Sequence, residues 1–442
     1  MFSLPRTATA PFCPSETQGT VAVPQGQPWW RTALRSAGPG LLVAVGYMDP
    51  GNWATDIEAG SRHGYDLLFV VLLCGLAAML LQGLAMRLGI VARRDLARMA
   101  RDHYSRRVCI MLWLLAELAI IATDIAEVLG SALAFKLLLG VPLWIGVLLT
   151  GLDTLVVLGL KGHGFRQLEA IVLGLIATIT ACFAVELLIV RPDMAGILRG
   201  SLPDLAVLRQ PGTLYLAIGI LGATVMPHNL YLHSSVVQTR LSSPGEAGTR
   251  RSLNFATLDM AVALILATLV NAAILILSAA SFHAHGFAHV AEIEDAYRLL
   301  EPITGAGSAA LLFGIALLAS GQSATFTGTV AGQVMLEGFL DLSIPCWQRR
   351  VITRVLAIIP ALAGILWLGD HAVGGLLVAT QVVLSLQLPF AIAPLIRFTG
   401  DPANMGRFVT PPLVQLAAWG LFALIVAANL WLIASWFFPL PG

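Results

Sequence analysis

Two short stretches of this sequence combine a proline with side chains that can bind a metal ion. "DPGN" runs from Asp49 to Asn52, and "MPHN" runs from Met226 to Asn229. Asp49 offers an anionic oxygen, Asn52 a neutral amide oxygen, and Met226 a soft thioether sulfur. Oxygen donors alone suit Mg²⁺ and Ca²⁺, whereas a thioether favours softer first-row metals. The donor types therefore predict a site for Mn²⁺ or Fe²⁺.

The prolines also interrupt helices, which adds backbone oxygens to the predicted site. Proline removes an amide donor and clashes with the preceding turn, and Gly51 loosens the backbone further. Because freed carbonyl groups cannot face lipid, such a break must line protein or a water-filled cavity. We expect carbonyl oxygens near Gly46 and Ala223 to join the ligands. The alternative is two simple proline kinks, with Met226 filling the core.

The two interruptions occupy matching places in the chain. Pro50 and Pro227 are 177 residues apart, and aligning them sets Asp49 against Met226. Each break lies in the first membrane span of a predicted block of five, and since five is odd, the two blocks cross the membrane in opposite senses. Interrupted spans at corresponding places in two halves indicate the central site of a transporter.

The composition is that of an integral membrane protein. Of 442 residues, 57% are hydrophobic and 12% are charged, and the mean hydropathy is +0.82. A soluble domain carries about 25% charged residues, so most of this surface must face lipid. The net charge of +1 does not suggest a nucleic-acid partner. Five cysteines without paired spacing argue against a disulfide framework or a zinc site, and we expect no cofactor.

Helical spans must position these residues, and a span needs about 20 apolar residues. The sequence predicts an all-α protein with eleven spans, at about 36–61, 66–91, 108–133, 139–160, 168–190, 213–239, 255–281, 306–336, 350–369, 373–397 and 413–437. The corresponding division is a disordered cytoplasmic tail (1–30), a first repeat (31–190), a second repeat (213–397) and a last span with the C-terminus (413–442).

The basic residues predict how the spans are oriented. With the N-terminus inside, 20 of the 26 Lys and Arg residues fall on the cytoplasmic side. The six on the outside are Arg62, Lys136, Arg191, Arg199, Arg209 and Arg298. The positive-inside rule therefore predicts a multi-pass protein of the cell inner membrane, with a cytoplasmic N-terminus and an outer C-terminus. A twelve-span arrangement, which would bring the C-terminus inside, is the alternative.

Three carboxylates in the third span could carry protons. Glu117, Asp124 and Glu127 fall within a sector of about 80° on a helix. Carboxylates inside a membrane usually face the bundle interior and often relay protons. They need counter-charges, and Arg349 and Arg350 at the inner end of the ninth span are the candidates. The alternative is a purely structural ion-pair network between two helices.

Two further groups near the breaks could take part in proton movement. A metal ion favours the ionised form of Asp49, so we expect Asp49 to exchange its proton as metal arrives or leaves. His228 follows the second break, and an imidazole exchanges protons near neutral pH. A structural hydrogen bond is the alternative role for His228. Gln82 and Asn271 are expected to form hydrogen bonds between helices.

The quoted motifs resemble the paired signatures of the natural resistance-associated macrophage protein (NRAMP) family. The likeness runs from about Gly38 through the tenth span and includes "ATDIAEVLGSA" and "TQVVLSLQLPFA". It implies a proton-coupled divalent-metal transporter with a LeuT-type fold, a five-plus-five inverted repeat and broken helices 1 and 6. It implies metal ligation by Asp49, Asn52, Met226 and the Ala223 carbonyl, with Gln381 joining in an occluded state. It also implies that His228, Asp124, Glu127, Glu117, Arg349 and Arg350 serve the proton pathway.

The functional prediction is a secondary active transporter that imports Mn²⁺, and also Fe²⁺, together with protons. The sequence contains neither a P-loop nor an H-E-x-x-H motif, which excludes the usual ATP-driven pump and zinc-protease signatures. We therefore expect a transporter and not an enzyme, functional as a monomer among membrane lipids. A same-fold transporter of a Na⁺-coupled amino acid and a Mg²⁺ transporter are the alternatives. Asp153 and Asp259 have no predicted partner, and His283, His285 and His289 are assigned to a solvated outer loop.

Overall fold

The structure is a computed structural model. It describes residues 18–23, 28–159, 165–210, 212–241, 245–287, 290, 292–305, 307–342, 344, 346–369 and 373–437. Within those ranges, the description does not extend to the side chains at 153–159, 165, 241, 346–347, 350 and 436. His289 therefore lies outside the described residues, and the side chains of Asp153 and Arg350, also considered above, are not described.

Helices make up nearly all of the described chain. In order they are α1 Trp29–Ser36, α2 Pro39–Gly46, α3 Pro50–His63, α4 Leu68–Val91, α5 Leu96–His103, α6 Arg106–Leu139, α7 Leu143–Gly159, α8 Phe165–Val190, α9 Met194–Gly200, α10 Thr213–Thr224, α11 Pro227–Val236, α12 Glu246–Ser281, α13 Ile293–Thr304, α14 Gly307–Leu340, α15 Cys346–Leu368, α16 Val373–Gly400, α17 Pro402–Met405 and α18 Pro412–Phe437. Short 3₁₀ turns lie at Val207–Arg209, Val237–Thr239, His283–His285 and Gly406–Phe408.

The predicted spans correspond to these helices in order. Among the described residues, nine helical segments are long and apolar enough to cross a membrane, with α10 and α11 counted as one. The first predicted span is split into α2 and α3, and the fourth is the 17-residue α7. Several helices are longer than their predicted spans: α6 reaches Leu139, and α12 already begins at Glu246.

Burial separates the central helices from the peripheral ones. In the most apolar 18-residue window of Thr213–Thr239, 78% of the residues are buried inside the protein, whereas the corresponding share in α18 is 22%. In α3, every residue from Pro50 to Ile57 is buried. The two broken helices therefore lie at the centre of the bundle, and α18 presents its apolar surface outward.

The start of α2 is fixed by a carboxylate from another helix. The two oxygens of Asp259, in α12, accept hydrogen bonds from the amides of Gly38 (3.1 Å) and Gly40 (2.7 Å). Gly38 has a φ of +140°, and a Cβ there would overlap Glu169 and Arg240. Glycine is therefore required at this approach, and Asp259, for which the sequence suggested no partner, caps the N-terminal end of α2.

A short strand pair lies beside this end of the bundle. Val21–Ala22 (β1) pairs in parallel with Arg240–Leu241 (β2). Arg240 also donates to the Ser36 carbonyl at 3.1 Å and forms an ion pair with Glu169 at 2.7 Å. Residues 1–17 and 24–27 of the predicted tail lie outside the described residues.

Candidate metal site and proton network

The two helix breaks have the same local geometry. Asp49 precedes α3 in an extended conformation (φ −71°, ψ 163°), and Pro50 is the first helical residue. Met226 precedes α11 in a similar conformation (φ −77°, ψ 124°), and Pro227 is its first residue. Proline suits this position because the first amides of a helix have no partner inside the helix. The predicted equivalence of Asp49 and Met226 is confirmed.

The Asp49 carboxylate caps the N-terminus of α3. It accepts hydrogen bonds from the amides of Asn52 (3.0 Å) and Gly51 (3.3 Å), and it is fully buried. Aspartate is a favoured capping residue, and the positive end of the helix dipole stabilises its charge. This capping role was not inferred from the sequence, although an aspartate directly before a proline indicates it. The cap fixes an anionic oxygen at the break.

The Asn52 side chain joins the two breaks. Its amide nitrogen donates to Asp49 Oδ1 at 2.5 Å and to the Ala223 carbonyl oxygen at 3.0 Å. Ala223 lies in the last turn of α10, so one amide connects the start of α3 to the end of α10. Asn271 of α12 donates in turn to Asn52 Oδ1 at 3.3 Å. The structure thus places two predicted ligand oxygens, those of Asp49 and Ala223, within hydrogen-bond distance of the amide of a third, Asn52.

Gln381, in α16, lies against the first break. A Cβ on Gly51 would overlap the Gln381 amide and would come within 3.0 Å of Asp49 Oδ2. The Gln381 amide nitrogen donates to Thr380 at 3.0 Å, while its Oε1 is buried and has no hydrogen-bond partner among the described residues. Gln381 therefore has an oxygen available beside Asp49, and Gly51 provides the space for it.

Met226 and Gly46 occupy the remaining sides of the breaks. Met226 is fully buried and packs with Ala119 of α6 and Leu384 of α16. Gly46 ends α2, and a Cβ there would overlap the Asn229 amide. The metal-ligand roles assigned to Met226 and Gly46 from the sequence remain predictions.

One carbonyl freed by the first break is satisfied by protein donors. The Met48 oxygen accepts from the Trp53 indole at 3.2 Å and from the Ser320 hydroxyl.

Among the described residues, no group of three or more His, Cys, Asp or Glu side chains could hold a metal ion. A metal at the breaks would therefore rely on one carboxylate together with neutral amide, carbonyl and thioether donors.

The third-span carboxylates lie in a buried network with arginines of α15. Arg349 forms an ion pair with Glu117 at 2.5 Å, as predicted. Arg354 donates to Thr325 at 3.3 Å and is close enough to Asp124 and Glu127 to interact electrostatically with both. Arg354 was missed in the sequence analysis, although an arginine inside a predicted span is costly enough to suggest a role.

Two glycines of α14 provide space for this network. A Cβ on Gly328 would lie 3.0 Å from Asp124 Oδ1 and 3.2 Å from Glu127 Oε1. One turn later, a Cβ on Gly332 would lie 3.1 Å from the Arg349 guanidinium. The charged side chains of α6 and α15 therefore meet across a groove in α14.

The two histidines after the second break have different surroundings. His228 Nδ1 lies 3.4 Å from the hydroxyl of Thr123, the residue next to Asp124. His233 donates to the Gln82 side-chain oxygen at 2.9 Å, and Gln82 donates to the Tyr47 hydroxyl at 2.9 Å. The expected interhelical hydrogen bonding of Gln82 is confirmed. His228 therefore contacts α6 at Thr123, whereas His233 contacts α4.

Comparisons with known proteins show which family the chain belongs to. The profile of the family described as natural resistance-associated macrophage protein-like matches residues 40–435. The chain is 63% identical over 431 residues to the divalent metal cation transporter MntH of Ralstonia nicotianae, and the match covers 98% of each chain. The chain belongs to the NRAMP family.

Solved structures confirm the NRAMP architecture. The crystal structure of a variant of the Eremococcus coleocola manganese transporter matches with a TM-score of 0.89 at 38% identity, covering 97% of this chain and 92% of that one. The closed conformation of Mhp1, a nucleobase-cation-symport-1 family transporter, matches with a TM-score of 0.59 at 15% identity, covering 100% of this chain and 98% of that one. The second likeness concerns the fold alone. The predicted LeuT-type fold with broken helices 1 and 6 is confirmed.

Proposed function

We propose that this NRAMP protein is a secondary active transporter that imports Mn²⁺, and also Fe²⁺, together with protons. The supporting observation is the Asn52 amide, which bridges the Asp49 carboxylate and the Ala223 carbonyl at the junction of two broken helices. Replacing that amide contact by a divalent cation would let both oxygens bind the ion directly. The broken helices would then move relative to each other and expose the site alternately to the two sides of the membrane.

The proposed choice of metal follows from the donors at the breaks. One carboxylate with neutral donors suits a divalent ion, and the Met226 thioether favours Mn²⁺ and Fe²⁺ over Mg²⁺. The Ralstonia relative is named a divalent metal cation transporter and the Eremococcus protein a manganese transporter, which supports this choice. An amino-acid substrate would require a helix N-terminus free for its carboxylate, whereas Asp49 already caps that of α3.

The proposed proton pathway leads from the metal site through the buried network of α6 and α15. His228, in the first turn after the second break, lies 3.4 Å from the hydroxyl of Thr123, the neighbour of Asp124 in sequence. In the proposed pathway, Glu127, Arg354, Arg349 and Glu117 continue the path along the helices. We place the protein in the cell inner membrane as a monomer surrounded by lipid. The distribution of arginines supports a cytoplasmic N-terminus and an outer C-terminus.

Metal uptake into proteoliposomes tests the proposed site. Asp49→Ala should abolish Mn²⁺ uptake because it removes the only charged ligand proposed at the break. Asp204→Ala, which removes an exposed loop carboxylate that accepts from the Ala206 amide, should transport like the wild type. Wild-type Mn²⁺ uptake by Asp49→Ala would refute the proposed metal site.

A pH-sensitive dye inside the proteoliposomes tests the proton pathway. The double variant Asp124→Asn/Glu127→Gln should bind Mn²⁺ but should lose the lumenal acidification that accompanies uptake. Glu301→Gln, at an exposed position of α13, serves as the control. Acidification that persists in the double variant would show that protons take another route.

A further inference from the structure

Asp56 is a buried carboxylate that the proposed metal and proton sites do not use. It lies in α3, one turn beyond Asn52, with 1% of its surface exposed. Its Oδ2 has no hydrogen-bond partner among the described residues. An unpartnered buried polar oxygen is costly, and in native structures it calls for an explanation such as an ion or a functional role.

Asp56 lies on the same face of α3 as Asp49 and Asn52. Residues 49, 52 and 56 fall within a sector of about 60° on a helix, and Asp56 lies about 10 Å along the axis from Asp49. The Asp49 and Asp56 carboxylates are close enough to interact electrostatically. In the proposed orientation, α3 runs outward from its break, so Asp56 lies on the outer side of the central site.

Two other helices that contact Asn52 also carry buried oxygens. Thr224 Oγ1 in α10 and Asn271 Oδ1 in α12 are buried, and neither has a hydrogen-bond partner among the described residues. Thr224 follows Ala223, whose carbonyl oxygen accepts from Asn52. The amide nitrogen of Asn271 donates to Asn52 Oδ1. Each of the three residues is thus linked to Asn52: Asp56 lies one turn further along α3, Asn271 forms a hydrogen bond with it, and Thr224 is adjacent to Ala223.

We propose that Asp56, Thr224 and Asn271 form a second cation site, which a divalent metal ion occupies on its way from outside to the central site. The site depends on the proposed transport function. Its donors are a carboxylate, a hydroxyl and an amide oxygen, the hard ligands that Mn²⁺, Mg²⁺ and Ca²⁺ all accept. The second site therefore concentrates divalent ions without selecting among them, and selection takes place at Met226.

Binding to purified protein tests this site separately from transport. Asp49→Ala should still bind Mn²⁺ weakly, and Mg²⁺ should displace that Mn²⁺ at similar concentrations because the second site lacks sulfur. The double variant Asp49→Ala/Asp56→Asn should lose this binding. Equal Mn²⁺ binding by the single and double variants would overturn the proposal, and so would residual binding that Mg²⁺ cannot displace.

Uptake kinetics provide the second test. Asp56→Asn should raise the KM for Mn²⁺ about tenfold, which corresponds to about 1.4 kcal/mol, while the maximal rate stays within about twofold of the wild type. Glu58→Gln removes a charge two residues away, where Glu58 pairs with Arg62 at 2.9 Å, and it should leave KM unchanged. If Asp56→Asn and Glu58→Gln raise KM equally, the rise comes from the loss of negative charge in this region, and the specific site is refuted.

A milder variant covers the case in which Asp56→Asn does not fold. Thr224→Val conserves volume and removes one proposed ligand, so it should raise KM severalfold; an unchanged KM would count against the site. Failure of the transport function itself would be recognised differently, by wild-type uptake in Asp49→Ala. If Asp49→Ala loses uptake and shows no Mn²⁺ binding that depends on Asp56, the second site is refuted and the proposed transport function is not.

Discussion

The chain contains two Asp-Pro-x-Asn sequences that fold in the same way in different surroundings. Asp49 begins the buried copy, and Asp401 begins a copy on the four-residue helix α17. In each copy the aspartate caps the helix and proline is the first helical residue. The asparagine also donates to the aspartate in each, at 2.5 Å from Asn52 and at 3.2 Å from Asn404. Four residues are therefore sufficient to specify the turn.

The difference lies in what surrounds each turn. Asp401 and Asn404 are partly exposed, whereas Asp49 is fully buried and Asn52 also reaches the Ala223 carbonyl of a second broken helix. The third position is alanine in the surface copy and glycine in the buried one, where Gln381 occupies the space of a Cβ. The motif thus provides a capped carboxylate, and its position between helices makes it a candidate metal site.

The largest expected effect comes from removing the charge of the buried copy while keeping its cap. Asparagine caps helices about as well as aspartate, so Asp49→Asn should fold normally and yet lose measurable Mn²⁺ uptake. Asp401→Asn makes the same change on the surface and should transport at the wild-type rate. Uptake in proteoliposomes and thermal unfolding of both variants provide the measurements. If Asp49→Asn transports normally, the carboxylate serves as a cap and not as a ligand.

The second prediction concerns the thioether of Met226, which the second broken helix adds to the donors of the buried copy. Met226→Ala should retain Mn²⁺ uptake with a KM about tenfold higher, which corresponds to about 1.4 kcal/mol. It should also admit Mg²⁺ or Ca²⁺ more readily, because the remaining donors are all oxygens. Met335→Ala removes an equally buried methionine from α14 and should leave the selectivity unchanged. Competition between Mn²⁺ and Mg²⁺ in uptake assays would reveal the difference.

The comparison also explains which features the sequence could predict. Proline and glycine inside apolar runs indicate broken helices through local chemistry, and the 177-residue offset correctly aligned Asp49 with Met226. The bridge from Asn52 to Ala223 depends on the packing of two distant helices, and no local pattern encodes it. The sequence also identified Glu117 and Arg349 as partners. It missed Arg354, because the role of Arg354 depends on how α6 faces α15.

Backbone contacts were the least predictable part of the site. Asp259 caps α2 through the amides of Gly38 and Gly40, which are more than 200 residues away in the chain. A carboxylate that contacts backbone amides leaves no complementary side chain for sequence analysis to find. Glycine has no side chain, and this leaves space for Gln381 beside Gly51 and forms the groove at Gly328. The effect of both glycines is visible only after the helices are packed.

The third prediction converts the buried motif into the sequence of the surface copy. Gly51→Ala should keep the cap but displace the Gln381 amide, because the added Cβ overlaps it. Since Gln381 is flexible, we expect a moderate rise in KM of about fivefold, or about 1 kcal/mol. Gly219→Ala, in α10, adds a Cβ that meets Thr55 at an ordinary 3.4 Å and should be tolerated. An unchanged KM in Gly51→Ala would remove Gln381 from the proposed ligand set.

The smallest expected effect tests whether the buried motif depends on distant support, which the surface copy does not require. Asp259→Asn leaves one accepting oxygen for the two amides at the start of α2, at a cost of about 0.5–1.5 kcal/mol. Amide hydrogen exchange in 39–46 should therefore become a few times faster, while exchange in 213–224 stays unchanged. Asp193→Asn is the matched control, because Asp193 also accepts from two backbone amides, those of Ala195 and Gly196, but at the start of α9. Equal acceleration of both segments in Asp259→Asn would mean that Asp259 stabilises the whole bundle, and the proposed specific support of the first broken helix would then be wrong.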